Sequence, residues 1–466
     1  MNRRSVILFA SCAFAATSAQ AQSNRDNDVL INQIGSDNSA IITQAGIRNL
    51  AGSDADPMLQ DGIYNALTIS QTGTDNTIGL TLPGILQIGR RNTPGIFNTI
   101  DLLQNSDENA VGSIEQISEG SVVNGANALT VIQQNGDRNL LRAVRQVQES
   151  GEAAQRASVT MTGADNIIDR VEQRSNDTGR EGPNEIDVNI LGSNNGRLAL
   201  SGFAAEPSLA DSSIVQEADT VDPGIYGNKI ILDIIGDDNR FGLRQGGRMN
   251  DMGRLVLNGN RNQIGFRQDG TENNIQMAVV EGDDNEIGID QIVTNIAQVD
   301  LIGLSNANRI YAFQQGTNML EVRIEGDTNT LRTRQDYLSG TGGDNDATVT
   351  MTGNLNFADL EQLGDNVFSL AIAGDRNNAG GPFSGAAASG ALTPGVFSQI
   401  GAGNVFSGVV TGSDNLMAAA QTGNANTITA LVAGDSNQAA FVQMGNANIA
   451  FLDQNGSGNV AGVYQN

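Results

Sequence analysis

The chain has 466 residues, a formal net charge of −26, 56 glycines, no Trp or His, and only 4% aromatic residues. Such acidity excludes nucleic acid as a natural partner, because its phosphates would be repelled. So few large rings argue against several ordinary globular cores, and a hydrophobic content of 39% argues against disorder.

The N-terminus reads as a signal peptide. Arg3 and Arg4 form a basic start, Ser5 to Ala16 an apolar stretch, and Ala19-Gln20-Ala21 a small-x-small cleavage site. Cleavage after Ala21 leaves Gln22 first and removes Cys12, the only cysteine. It also takes away two arginines and no acid, moving the net charge to −28. A mature chain without thiols fits an exported protein whose stability is independent of redox state. No other apolar run is long enough to span a bilayer. Residues 22–28 form a short segment, and 29–466 carry a repeat.

The period is clearest near the C-terminus. Gly401, Gly412, Gly423, Gly434, Gly445 and Gly456 lie eleven residues apart, each followed three positions later by Asn404, Asn415, Asn426, Asn437, Asn448 and Asn459. The same Gly-x-x-Asn unit recurs upstream, for example at Gly35-Asn38, Gly73-Asn76, Gly163-Asn166 and Gly282-Asn285. Two residues before each Gly, Gln alternates with an aliphatic residue: Ile234, Gln245, Leu257, Gln268, Val280, and later Gln399, Val410, Gln421, Val432, Gln443. The structural unit is therefore about 22 residues with two unlike arms.

Each arm alternates with period two, as in Asn318, Leu320, Val322, Ile324 against the intervening Glu321, Arg323 and Glu325. That pattern is a β-strand with an apolar inner face and a charged outer one. Gly-x-x-Asn is the turn, Gly supplying positive φ and Asn bonding nearby backbone. Two arms and two turns make a rung. Roughly 30 arms give about 15 rungs of an all-β solenoid, stacked in parallel about 4.8 Å apart over about 70 Å. Buried Asn then sits over Asn and Gln over Gln, each amide donating to one neighbour and accepting from the other. Interruptions at Ala51–Tyr64, Leu80–Leu86, Ser175–Pro183, Gly196–Ile225, Leu338–Gly342 and Ala379–Pro394 carry most of the Pro and read as protruding loops.

The pattern resembles the curlin repeat of bacterial curli subunits, Gln-x-Gly-x-x-Asn-x-Ala-x-x-x-Gln. Here it runs from Gln443 through Gly445, Asn448 and Ala450 to Gln454, with close versions at Gln454–Val463, Gln421–Val432 and Gln33–Gln44. The resemblance covers essentially the whole mature chain. It implies export through a curli-type outer-membrane secretion pore, a curli-type nucleator as partner, and assembly into cell-surface amyloid fibres that support adhesion and biofilm. Many more repeats, and the aliphatic alternate arms, depart from the family pattern and leave major subunit against nucleator open.

Polymerisation also follows from the ends. The last repeat runs through Asn459, Ala461, Val463 and Gln465 with nothing after it to form a cap, so a second copy can add there. The expected ladder residues near the growing end are Gln421, Asn426, Gln443, Asn448, Gln454, Asn459 and Gln465. Two other classes compete. A monomeric β-solenoid surface adhesin would form no fibres. A polysaccharide-active β-helix enzyme would use pairs such as Asp237-Asp238 and Asp283-Asp284, which recur in turns and read as solvated corners. Without His, without Cys in the mature chain and with Lys229 as the single lysine, the chain lacks most nucleophiles and bases. The reading calls for no cofactor, no metal and no catalytic residue; the turn period of eleven does not match the nine-residue calcium-binding β-roll.

Overall fold

The computed structural model describes residues 9–11, 19–22, 27–90, 97–119, 127–150, 155–176, 184–218, 229–248, 250–252, 255–301, 305–337 and 343–466. Most of the signal-peptide reading, Cys12 included, and the insertion 338–342 lie outside these residues, as do parts of the insertions at 175–183 and 196–225. The chain falls into two units, residues 1–199 with 209–251 and residues 200–208 with 252–466.

In the first unit period-two alternation does set the strands. Asn65–Thr74 turns Asn65, Leu67, Ile69 and Gln71 inward and lies parallel between Ser39–Ile47 and Asn98–Asn105. Register is exact: Ala40, Leu67 and Ile100 stack, as do Gln44, Gln71 and Gln104. Each arm therefore pairs with the arms two before and two after it in the chain. Phe9–Ser11 and Ala19–Gln22 follow the same rule, running parallel to Ile31–Ser36 and Ser39–Ile47. The fold is an all-β solenoid of parallel rungs.

The second unit is built alike. Some strands run through a turn without a break: Phe357–Ala373 pairs with Val396–Thr411 along both arms, with one register shift at Asp365–Asn366. Aromatics gather inside this pair, Phe368 and Phe406 stacking at 5.0 Å and Phe397 tilted against Phe406 at 5.1 Å.

The turn has two strained positions. Gly takes φ near +110, for example +114 at Gly423, and the residue two further on is left-handed as well: Ala425 at +57, Asp414 at +59, Leu355 at +59. The sequence pattern identified only the first, because the second is occupied by many residue types. A side chain in that region costs about 1–2 kcal/mol, partly offset by the freedom glycine loses on folding. Ala425→Gly should therefore raise stability by about 0.5–1 kcal/mol in urea unfolding.

The insertions are not simple protruding loops. Of Ala51–Tyr64 only the stretch from Gly52 to Pro57 leaves the stack, since Met58–Ile63 is a strand paired with Ile31–Ser36. Leu80–Leu86 likewise ends in the strand Ile85–Gly89. Within Gly196–Ile225, Ser213–Ala218 is a stacked strand beside Ile167–Asn176, so Gln216 continues a ladder from Gln173 across a gap of 43 residues. In the sequence, flanking Gly and Pro hide the inward alternation of these strands.

Two insertions form flaps of one design. Ser201-Gly202-Phe203-Ala204-Ala205 and Ser384-Gly385-Ala386-Ala387-Ala388 each open a 3-10 turn, Gly202–Ala205 and Gly385–Gly390. Ser201 donates its N–H and hydroxyl to Gln263 Oε1, both at 2.9 Å; Ser384 does the same to Gln438 Oε1, at 2.7 and 3.1 Å. The flap backbone then presses on the outer face of the strands. A Cβ on Gly288 would lie 2.0 Å from Phe203 O, and one on Gly462 2.3 Å from Ala386 O. The first flap sets Phe203 against Tyr311 with Arg309 over its ring at 4.8 Å. The second buries Phe383 and Ala387 on Leu416, Ala418 and Ala440.

An outward acid of the second unit is buried. Asp290, two residues past Gly288, has an Oδ1 without a hydrogen bond and Arg267 Nε only at 3.8 Å. Burial pushes its carboxyl up from 3.8 to about 6, with Arg267 opposing and Asp269 assisting. Burial, Asp290 and Glu206 also push Tyr311 up to about 12. Because the folded value is raised, Asp290's contribution is full below about 4 and is lost as pH rises through about 6. Asp290→Asn should thus stabilise the chain increasingly over wild type as pH is raised from 4 to 7, read by melting at each pH.

Candidate functional site

The buried amides form continuous columns. In the second unit Gln268, Gln291, Gln314, Gln335, Gln362, Gln399, Gln421, Gln443 and Gln465 are linked Nε2 to Oε1 at 2.7–3.0 Å. In the first unit one column runs from Gln33 through Gln60, Gln87, Gln116, Gln146, Gln173 and Gln216 to Gln245. Asn columns line the turns: Asn404, Asn426, Asn448 on one side and Asn415, Asn437, Asn459 on the other.

The columns have opposite polarity. Each Gln Nε2 donates forward to the Oε1 of the next rung, as Gln421 does to Gln443. Each Asn donates backward, Asn426 giving both its N–H and Nδ2 to Asn404 Oδ1. The remaining Asn hydrogen goes forward to a turn carbonyl, Asn426 Nδ2 to Gly445 O at 2.9 Å. The amides of these columns are thereby satisfied inside the stack, which avoids a penalty of about 1–3 kcal/mol for each, whereas Asn127 Oδ1, Gln155 Oε1 and Gln454 Oε1 are buried without a partner.

Glycine is required at the turns by contact as well as by φ. A Cβ on Gly401 or Gly423 would lie 1.9 Å from the carbonyl oxygen of the next rung's glycine, and on Gly412 or Gly434 at 2.2 or 2.1 Å. Under Gly445 and Gly456 nothing among the described residues comes closer than 3.9 and 3.6 Å.

The turn acids are bound more tightly than solvated corners. Asp283 Oδ1 accepts the N–H of Asn260 at 2.7 Å, and Asp435 Oδ1 that of Ser413 at 2.8 Å, each reaching back one rung. Next to them Arg261 grips Asp284 and Arg376 grips Asp414 across rungs. The Arg376 guanidinium holds Asp414 below the ordinary carboxylate range. The Asp283-Asp284 pair is thus occupied by its neighbours. Among the described residues no group of three or more acids, His or Cys is placed to hold a metal, and no helix is long and apolar enough to cross a membrane.

Of the expected ladder residues, Gln421, Asn426, Gln443, Asn448, Asn459 and Gln465 stand in columns. Gln454 does not. It stacks on Val432, its Oε1 is buried without a partner, and its Nε2 reaches only Gln438 O at 3.1 Å. Asn437, on the same eleven-residue beat, belongs with them. Outside the columns, Gln438 and Tyr464 fasten the second flap, Gln438 Oε1 accepting from Ser384 and Tyr464 Oη donating to Ala386 O at 2.8 Å. No sequence signal marked these two. The alternation of Gln with aliphatic residues also fails in the first unit, where Gln44, Gln71, Gln104 and Gln133 form a second Gln column before Met161, Ile190 and Ile234 take over.

At the C-terminal rung the strands Ile449–Asn455 and Val460–Gln465 pair on one side only among the described residues, with Thr427–Ala433 and Gln438–Met444. The flap covers the outer face of Val460–Gln465 and leaves this edge uncovered. Phe451 beside it is 71% exposed. Compared with family models and with curated proteins, the chain has no match.

Proposed function

We propose that this chain is a secreted, non-enzymatic structural subunit that assembles end to end into extracellular amyloid-type fibres, of the kind the curlin-repeat resemblance implies, serving adhesion and biofilm matrix. The observation that supports this reading is the stack of parallel, in-register strands with Gln and Asn columns along it, whose strands Ile449–Asn455 and Val460–Gln465 pair on one side only among the described residues. An added rung would pair their other side and bury apolar side chains, the two terms that drive cross-β stacking. Net negative charge on outward faces discourages sideways clumping and leaves the axial route open.

The test is to recover the exported protein, establish its N-terminus by mass spectrometry, and follow fibre formation with thioflavin and fibre diffraction. The expected result is a 4.7–4.8 Å meridional reflection. Deleting residues 448–466 should slow seeded growth. A soluble protein that never polymerises overturns the proposal. It would favour the second reading, a monomeric solenoid adhesin, to which the flap fastened on the last strand by Tyr464 lends support.

A further inference from the structure

We infer that the outer face beneath each flap is a peptide-binding site for a Ser-Gly-x-Ala-Ala segment, and that residues 383–388 of a second copy fill the site beneath the second flap. Exchanged flaps then tie copies side by side. This does not rest on the assembly reading above.

The two flaps correspond residue by residue. Ser201 and Ser384 are both extended, at φ −144 and −122, and each gives its N–H and hydroxyl to one Gln side chain. Gly202 and Gly385 follow in the left-handed region, at +55 and +52. The carbonyls of Phe203 and Ala386 then come down on Gly288 and Gly462, and Ala204 and Ala387 are fully buried. Side chains and shape do the holding. The backbone bonds Glu206 N–H to Phe203 O and Ala388 N–H to Ser384 O close within each flap.

The faces beneath them correspond as well. Aligned on the anchoring Gln, they read Asn262-Gln263-Ile264-Gly265-Phe266 and Asn437-Gln438-Ala439-Ala440-Phe441, and Asn-Gln-x-small-Phe occurs nowhere else in the chain. The next rung sets Gly288 beside Gly265 and Gly462 beside Ala440. Glycine inside a strand packs nothing and marks the close approach of another backbone. One difference sets specificity. A Cβ on Gly265 would lie 2.0 Å from Ala204 O, and Ala440 carries that Cβ. The first flap therefore does not fit the second site, whereas the second flap packs Phe383 and Ala387 there.

The second flap is the one suited to exchange. Of residues 381–389 only Phe383 and Ala387 are buried, and Gly380-Gly381-Pro382 and Pro394-Gly395 bound it as hinges. Residues 377–413 carry no charge, so this segment approaches a second acidic copy without repulsion; the first flap is flanked by Arg197, Glu206 and Asp211. Lifting it breaks the bonds to Gln438 and Tyr464 and uncovers Ala418, Ala440 and Gly462, while the strands below stay paired. A flap from another copy remakes the same contacts. Exchange is then governed by the local concentration of flaps.

Two full-length variants, freshly prepared in soluble form, test this. Gly462→Val closes the site of the donor and evicts its own flap, because a Cβ there meets Ala386 O at 2.3 Å, and valine suits a strand. Ala387→Arg spoils the flap of the acceptor and leaves its site open. Each alone is expected to run as a monomer, and the mixture as a 1:1 complex by light scattering. Adding Gln438→Leu to the acceptor should weaken that complex about tenfold. No complex between the two folded variants overturns the inference, as does one that either variant forms with itself or that ignores Gln438→Leu. If Gly462→Val does not fold, a synthetic peptide of residues 380–392 replaces it. That peptide is expected to bind the Ala387→Arg chain at least about tenfold more tightly than the wild type, whose own flap competes, and a peptide of residues 199–208 to bind neither. Equal affinity for both chains, equal affinity of both peptides, or no binding overturns the inference.

Discussion

Gly456→Val is expected to leave the soluble chain folded and to stop seeded growth, whereas Gly434→Val is expected to unfold the C-terminal rungs. The two glycines have nearly the same φ, +113 and +108, so each substitution carries a similar dihedral strain of about 1–2 kcal/mol. They differ in what lies beneath. A Cβ at 434 would be 2.1 Å from Gly456 O, a backbone atom that cannot move without dislodging its strand, while at 456 nothing lies within 3.4 Å. Overpacking of that kind adds roughly 1–3 kcal/mol, concentrated in the last two rungs. At position 456 the collision arises only when another copy arrives. Losing about 3 kcal/mol of end-binding energy would weaken capture of a monomer by roughly 100-fold. Thermal melting of the soluble protein and thioflavin-monitored elongation from wild-type seeds read the two effects separately. Normal elongation by Gly456→Val would show that the C-terminal rung is not the growing surface.

Gln421→Leu should cost more than replacing its whole column. The single change leaves one of the two Gln399 Nε2 hydrogens without an acceptor, the other still going to Val367 O, and Gln443 Oε1 without a donor, both in the dry interior. Two orphaned groups at about 1–3 kcal/mol each predict a loss of roughly 2–5 kcal/mol. Changing Gln399, Gln421 and Gln443 together leaves only the column's two cut ends unpaired, so the triple variant should lose little more than the single one. The chain performs this experiment itself in its other arm, where Ile324, Met351, Ile372, Val410 and Val432 fill the equivalent column. Urea unfolding of the single, double and triple variants measures the departure from additivity. Costs that simply sum would mean that the amides act individually and not as a ladder.

Much of the fold was legible because its governing signals are local and repeated. The eleven-residue recurrence of Gly-x-x-Asn located turns such as Gly412–Asn415, and alternation by twos located inward residues such as Leu320 and Ile324, both buried. The candidate site was legible for the same reason: a column exists wherever one position repeats. What escaped detection did not repeat. Met58–Ile63 and Ser213–Ala218 were hidden by loops that break the phase without breaking the stack. The left-handed residue two after each glycine was hidden because Leu355, Ala425 and Asp414 share no chemistry, only a backbone angle. The position of Gln454 in the motif groups it with the ladder, but the residue above it is Val432.

Spacing and alternation by themselves determined that this chain forms parallel rungs with amides inside and charges outside, since both depend on neighbours in sequence. Which amide meets which, the opposite sense of the Gln and Asn columns, the burial of Asp290 and the fastening of Ser384 by Gln438 were decided only in three dimensions. The physical reason is directional. Burial is recorded along the chain, residue by residue, but a hydrogen bond needs a partner at a given distance and angle, and here that partner lies roughly one rung away, 20 or more residues along the sequence.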